Sequence, residues 1–243
     1  MNSKHYATMP PEIPFPDWHQ TVSAHYGNGT VYKMYVPSYL HINKGMNLPS
    51  DNTRLPRLQK FNGELPSSLI PFHEARAQYN KGVVSEASPC FYIDDKHFNC
   101  LLGNPLDYSA MLKDYKSVVS PDFSVYRNYS FELRKRNTWV NYSFAELWQV
   151  NGMSVIINVV WSGPDSYEYA FAPIPRGSVI AINSSGVKGD SRSTYYWMDG
   201  YKEMLKVVKP EHIIRYGEKM PGEAESISTY YPNPYLTRMR HGR

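Results

Sequence analysis

Cysteine is almost absent: Cys90 and Cys100 are the two in 243 residues. A disulfide scaffold is excluded, and a reducing, cytoplasmic setting is expected. Long hydrophobic runs are missing too. The longest, around Val155–Trp161, is broken by Asn158 and falls far short of the roughly 18 apolar residues a membrane helix requires. The opening stretch MNSKHYATMPPEIPFPDW has no apolar core of a secretory signal, so neither export nor membrane contact is expected. Charge of one sign is also scarce. Lys and Arg number 26 against 22 Asp and Glu, a formal charge of +4, spread without any block of like charges. That is an ordinary surface, and it disfavours nucleic acid as a partner. Several chemical signatures are lacking: the P-loop, G-x-G-x-x-G, C-x-x-C, H-E-x-x-H and G-x-S-x-G. The eight histidines are scattered and none stands at a metal-ligand spacing, so no zinc site is expected.

What is present is enough for a packed core, with 42% apolar and 20% charged residues. Tyrosine is abundant, 21 against 9 Phe and 5 Trp, which suits half-buried core positions with a wet hydroxyl or stacking on bases. Cations concentrate at Arg134, Lys135 and Arg136, and again at Arg238, Arg240, His241 and Arg243. The chain has two textures. Nine of its 19 prolines fall in the first 71 residues, among Gly27, Gly29, Gly45, Asn47, Asp51 and Asn52. Proline fixes φ and removes a donor, so residues 1–68 read as an irregular Pro-rich arm. One strand-like stretch stands out there, Thr30–Ile42, which Pro37 splits or demotes to an edge.

From Leu69 onward, short apolar runs alternate with helix-length segments. The runs are Ser68–Phe72, Pro89–Ile93, Ser117–Ser120, Ser154–Trp161, Ser178–Asn183 and His212–Tyr216. Continuous Val/Ile runs mark strands covered on both faces, as in parallel sheets. The spacing of apolar residues predicts helices over Pro105–Tyr115, Phe131–Val150 and Tyr195–Val208. The expected fold is α/β: a parallel βα series of about five or six strands, as an open sheet or a barrel. It would occupy residues 69–222. A Tyr-rich basic tail, residues 223–243, follows either as a mobile extension or as a strap packed through its tyrosines.

In such folds ligands bind where the strands end, because the βα loops gather at that rim. Asp94 and Asp95 follow one run, Asp122 and Arg127 the next, Trp161 the third, Ser184, Ser185, Gly186 and Lys188 the fourth, and Glu218 the last. Asp94, Asp95 and Asp122 are the candidate catalytic residues. Oxygen ligands suit a hard divalent cation such as Mg2+, held by Asp94 and Asp122, and burial that splits carboxyl pKa values would instead make an acid/base pair. The competing role for Asp94 or Asp95 is capping the next turn. Asp165 also reads as a cap. Arg127, Trp161, Ser184, Ser185, Gly186, Lys188 and Glu218 are candidate substrate contacts, with Trp161 as an apolar wall. Small residues and a glycine in Asn183–Lys188 let backbone N–H groups approach an anion, although a plain βα turn needs the same residues. Cys90, at the start of its strand, reads as buried filler.

The segments Leu69–Phe72 (LIPF), Phe91–Asp95 (FYIDD), Pro121–Arg127 (PDFSVYR), Arg136–Trp139, Asn151–Trp161 (NGMSVIINVVW), Ser166–Phe171, Ile174–Gly186 and Met198–Glu218 together resemble a family of phage and mobile-element proteins designated only as a domain of unknown function. The resemblance spans about Leu69 to Gly222. It implies a phage or prophage origin and a host cytoplasm setting, and it carries no catalytic residues with it. Three function classes stand: an enzyme on a small phosphorylated or nucleotide-like substrate, metal-assisted or acid/base; an effector that binds a host protein or sequesters a nucleotide signal; and a nucleic-acid-binding accessory protein of phage replication.

Overall fold

The computed structural model describes residues 18–26, 30–37, 41–42, 46–47 and 56–233. Two strands open the chain, β1 (Trp18–Tyr26) and β2 (Thr30–Pro37), paired antiparallel. The strand-like stretch read from the sequence thus ends at Pro37, where the ladder ends. A small antiparallel pair follows, β3 (His41–Ile42) and β4 (Met46–Asn47). Gly27, Gly29, Gly45, Asp51 and Asn52 of the arm, and Arg238, Arg240, His241 and Arg243 of the tail, lie outside the described residues.

The core alternates strand and helix. Its elements are β5 (Leu69–Pro71), α1 (Phe72–Tyr79), β6 (Ser88–Cys90), α2 (Cys100–Gly103), α3 (Pro105–Leu112), β7 (Val118–Val119) and α4 (Phe131–Val150), then β8 (Val155–Asn158), α5 (Tyr167–Phe171), β9 (Val179–Asn183), α6 (Ser191–Val208), β10 (His212–Tyr216) and β11 (Ser228–Tyr231). The last five strands form one parallel sheet in the order β11-β10-β9-β8-β7, and β5 and β6 make a separate parallel pair. The expected parallel α/β series is therefore the observed one.

The two ladders curl around a common interior. Cys90, Val119, Ile156, Ala181, Ile214 and Tyr231, one from each of six strands, share one buried cluster, with Leu69 of β5 packed against it. The ring is joined at two places: the Ser88 and Ser117 hydroxyls share a hydrogen bond between β6 and the approach to β7, and the Tyr231 hydroxyl donates to the Pro66 carbonyl ahead of β5. Alternate residues, such as Ile157, Ile180, Ile182 and Ile213, face outward into a second core under the helices. This two-sided burial is why these strands read as unbroken apolar runs.

Helix ends follow local chemistry. The Ser130 hydroxyl accepts from the Leu133 N–H at 3.3 Å and starts α4, while the Asp190 carboxylate accepts from the Ser193 N–H at 2.7 Å and starts α6. Lys209, left-handed at φ 46°, ends α6 just before Pro210. Helix α4 is buried along almost its whole length. Its carboxamides grip passing backbone: Asn141 pairs with the N–H and C=O of Phe123, Gln149 with those of Gln59, and Asn151 with those of Tyr35. Those bonds hold the arm and the loop after β7 against the central helix.

Candidate functional site

β7 to β10 run parallel, and the segments that follow β6, β7, β8 and β9 together line a cleft of about 730 Å3. Asp94, Asp95, Asp122, Arg127, Trp161, Ser185 and Gly186 all line it. Ser184, Lys188 and Glu218 do not. Ser184 is buried and serves the scaffold, donating to the Glu218 carbonyl at 2.6 Å and accepting from Arg215 Nη2 at 3.1 Å. Lys188 faces Glu218 at 3.7 Å as an exposed ion pair.

The three carboxylates have distinct surroundings. Asp94 is exposed and caps the short turn Asp95–His97: it accepts from the Lys96 N–H at 3.0 Å and pairs with its ammonium at 3.0 Å. Those bonds hold its carboxyl below the ordinary range. Asp95 accepts from Ser124 Oγ at 2.9 Å and Ser124 N at 3.2 Å, pinning the loop after β7 to the turn after β6. Asp122 is the unusual one. Burial pushes its carboxyl up to about 7 from an ordinary 3.8, with the negative charge of Asp95 adding to the rise. Hydrogen bonds to the Asn158 and Asn183 side chains oppose that rise.

Asn158 and Asn183 were not among the candidates read from the sequence, nor was Tyr92. Asn158 Nδ2 donates to Asp122 Oδ1 at 2.9 Å and to the Pro121 carbonyl at 3.1 Å, and its Oδ1 accepts from the Tyr92 hydroxyl at 3.1 Å. Asn183 Oδ1 accepts from the Ser185 N–H at 2.7 Å. The sequence signal was there: Asn158 and Asn183 are the polar interruptions at the ends of two apolar strands, where a side chain faces the rim.

The walls are aromatic and cationic. Trp161 packs edge-on against Phe171 and donates from Nε1 to the Trp197 carbonyl at 3.2 Å. Gly200 makes room for it, since a Cβ there would lie 2.2 Å from the indole. Exposed Arg127 rests its guanidinium over the Tyr196 ring, 4.3 Å from the centroid. Two other expectations resolve differently. Asp165 is no cap; it takes a two-point bond from Arg134, at 2.6 and 3.0 Å. Arg134 is thereby withdrawn from the central basic cluster. Cys90 is filler as expected, 1% exposed and with its thiol pushed up to about 12 by burial.

Among the described residues no three His, Cys, Asp or Glu side chains gather as a ligand set. Asp94 is bonded to Lys96, Asp95 to Ser124 and Asp122 to two carboxamides.

The fold and the cleft define a barrel-like α/β protein with a polar, aromatic-walled site at the strand exits. The chain belongs to the family described as Domain of unknown function (DUF4417), whose profile matches residues 49–231. It is 26% identical over 149 residues to the Gene 1 protein of Mycobacterium phage L5, covering 61% of this chain and 63% of that one. It is 24% identical over 177 residues to the Gene 1 protein of Mycobacterium phage D29, covering 72% and 65%. The matches thus span a little under two thirds of these relatives' lengths. No solved structure matches the chain. Among the described residues no helix is long and apolar enough to cross a membrane.

Proposed function

We propose that the protein is a phage-encoded, cytoplasmic acid–base enzyme acting on a small phosphorylated or nucleotide-like substrate in the rim cleft. The observation that carries this reading is Asp122, a carboxyl inside the cleft with a proton affinity near neutrality. A general acid or base works best when its pKa lies near the working pH. Asp122 would give or take the reacting proton. Arg127 supplies a planar cation for a phosphate or other anionic group, and Ser185 and Gly186 supply backbone close by. Trp161 offers an apolar face to a ring. The phage-encoded relatives support the origin.

The test is a thermal-shift panel of mono-, di- and cyclic nucleotides and sugar phosphates, followed by chromatography of any stabilising ligand after incubation. Binding to the native state raises the melting temperature by mass action. The reading expects at least one ligand to be both bound and converted. In Asp122→Asn, turnover should fall by about 10²–10⁴ while the ligand still raises the melting temperature. Binding without conversion would reassign the protein to sequestration. No shift with any small ligand would overturn the reading in favour of a host protein partner, to be sought next.

A further inference from the structure

We infer that Tyr92 and Asn158 form a positioning relay, in which the buried Tyr92 hydroxyl orients the Asn158 carboxamide so that its N–H group meets Asp122. The inference rests on the reading of Asp122 as the acid–base group. Oxygen and nitrogen of a carboxamide are nearly isosteric, and which one faces Asp122 decides which protonation state is favoured there. An N–H favours the carboxylate, whereas a carbonyl oxygen favours the protonated acid.

The neighbours of Asn158 decide the matter at both ends. Burial holds the Tyr92 phenol well above its ordinary value, so it stays a donor across the working range, and the atom it meets at 3.1 Å must be the carbonyl oxygen. The Pro121 carbonyl can only accept, so the atom it meets at 3.1 Å must be the NH2 group. The second N–H of that group then points to Asp122 Oδ1 at 2.9 Å. The backbone N–H of Asn158 is separately tied to Ser120 Oγ at 2.8 Å, which fixes the strand end. Asn183 is oriented likewise by the Ser185 N–H on its Oδ1, leaving its NH2 group for Asp122.

Other groups around this cluster do not supply the same control. Asp95, on the turn after β6, adds negative charge near Asp122 and raises its proton affinity. Cys90 on β6 stays a neutral thiol. From β10, Tyr216 stacks on Tyr92 with ring centroids 4.6 Å apart, and the charge of Arg215 is felt at Tyr92. Asn158 is 0% exposed and lies behind Asp122, outside the cleft lining, so it acts through Asp122 rather than on a ligand.

The experiment follows the Asp122 carboxyl 13C resonance against pH in the full chain without ligand, assigned by its disappearance in Asp122→Asn. Tyr92→Phe keeps the ring stack and removes the donor. The Asp122 midpoint should rise by about 0.5–1 pH unit, the size expected for weakening one hydrogen bond to the carboxylate. Tyr231→Phe, which deletes another buried hydroxyl of the same interior, should leave the midpoint where it was. In an Asn158→Ala background, Tyr92→Phe should cause no additional shift, because the relay has lost its middle member. An unchanged midpoint in Tyr92→Phe, or an equal shift in Tyr231→Phe, would overturn the relay. The titration needs no substrate, so failure to find turnover would sink the proposed function and leave this result standing.

Discussion

Asp122 shows how burial and hydrogen bonding compete over one proton. Desolvation raises its affinity, the Asn158 and Asn183 side chains pull it back, and the net value is about 7 against 3.8 for an ordinary Asp. The sign of the stability effect follows. Between about pH 4 and 7 the folded protein keeps a proton that the unfolded chain has released, so stability falls as pH rises through that window. Below about pH 4 both states are protonated and the contribution is complete; above about pH 7 it is gone. Asp122→Asn removes this titration. Its melting temperature relative to wild type should therefore climb from pH 4.5 to pH 8, measured by differential scanning fluorimetry across a buffer series. Parallel curves for the two proteins would show that Asp122 titrates alike in both states. Asp94, exposed and with its carboxyl held low by Lys96, should leave that difference untouched.

At the scale of elements, α4 and α6 do different jobs. Helix α4 spans Phe131–Val150, the range read from its apolar spacing and from Gly152 as the stop. The sequence gives no hint that its polar residues are buried. Arg134, Asn137, Asn141, Glu146 and Gln149 look like a solvent face, yet each is less than 9% exposed. Their partners come from Ser124, Phe123, Arg57, Gln59 and Asp165, up to 90 positions away in the chain, and spacing along one helix cannot announce them. Helix α6 begins at Ser191 rather than Tyr195, because the Asp190 cap adds a polar first turn that apolar spacing does not register. It carries Gly200 against Trp161. Gly→Ala inside a helix ordinarily stabilises by about 0.5–1 kcal/mol. Here the new methyl would overlap the indole, and overpacking costs about 1–3 kcal/mol. Gly200→Ala should therefore lower the urea midpoint and shift tryptophan emission as Trp161 leaves the cleft wall. A gain in stability with unchanged emission would mean that the wall yields without cost.

For the whole molecule, closure of the ring depends on its last strand. Residues 223–243 read as a tail, with a packed strap as one alternative, and Ser228–Tyr231 is in fact a strand paired in parallel with β10. Its residues STYY lack the adjacent Val and Ile residues that mark β7 to β10. Tyr231 fills the interior and reaches the Pro66 carbonyl, while Tyr230 donates to Glu223 at 2.7 Å. Truncation after Glu225 would uncover the β10 edge and remove a buried aromatic worth about 1.5–3 kcal/mol. A lower and broader thermal transition is expected by calorimetry. An unchanged, cooperative melt would make β11 an accessory rather than a stave of the barrel.

The strand–helix alternation between Leu69 and Tyr216, the parallel sense of its strands and the loops after β6 to β9 that line the cleft were determined by the sequence alone. Covered strands need unbroken apolar runs, helices need a 3.6-residue period, and parallel connection follows from alternation. Those are local or topological constraints, so they are written in local patterns. Tertiary structure decided which rim residues share a cleft and which serve the scaffold. It set Asp94 to capping, Asp95 to pinning a loop and Asp122 to a proton affinity near neutrality. It also brought Tyr92 and Asn158, 66 positions apart, into hydrogen-bond reach. Desolvation and side-chain pairing depend on what surrounds a residue in space, and for these groups the surroundings come from distant strands.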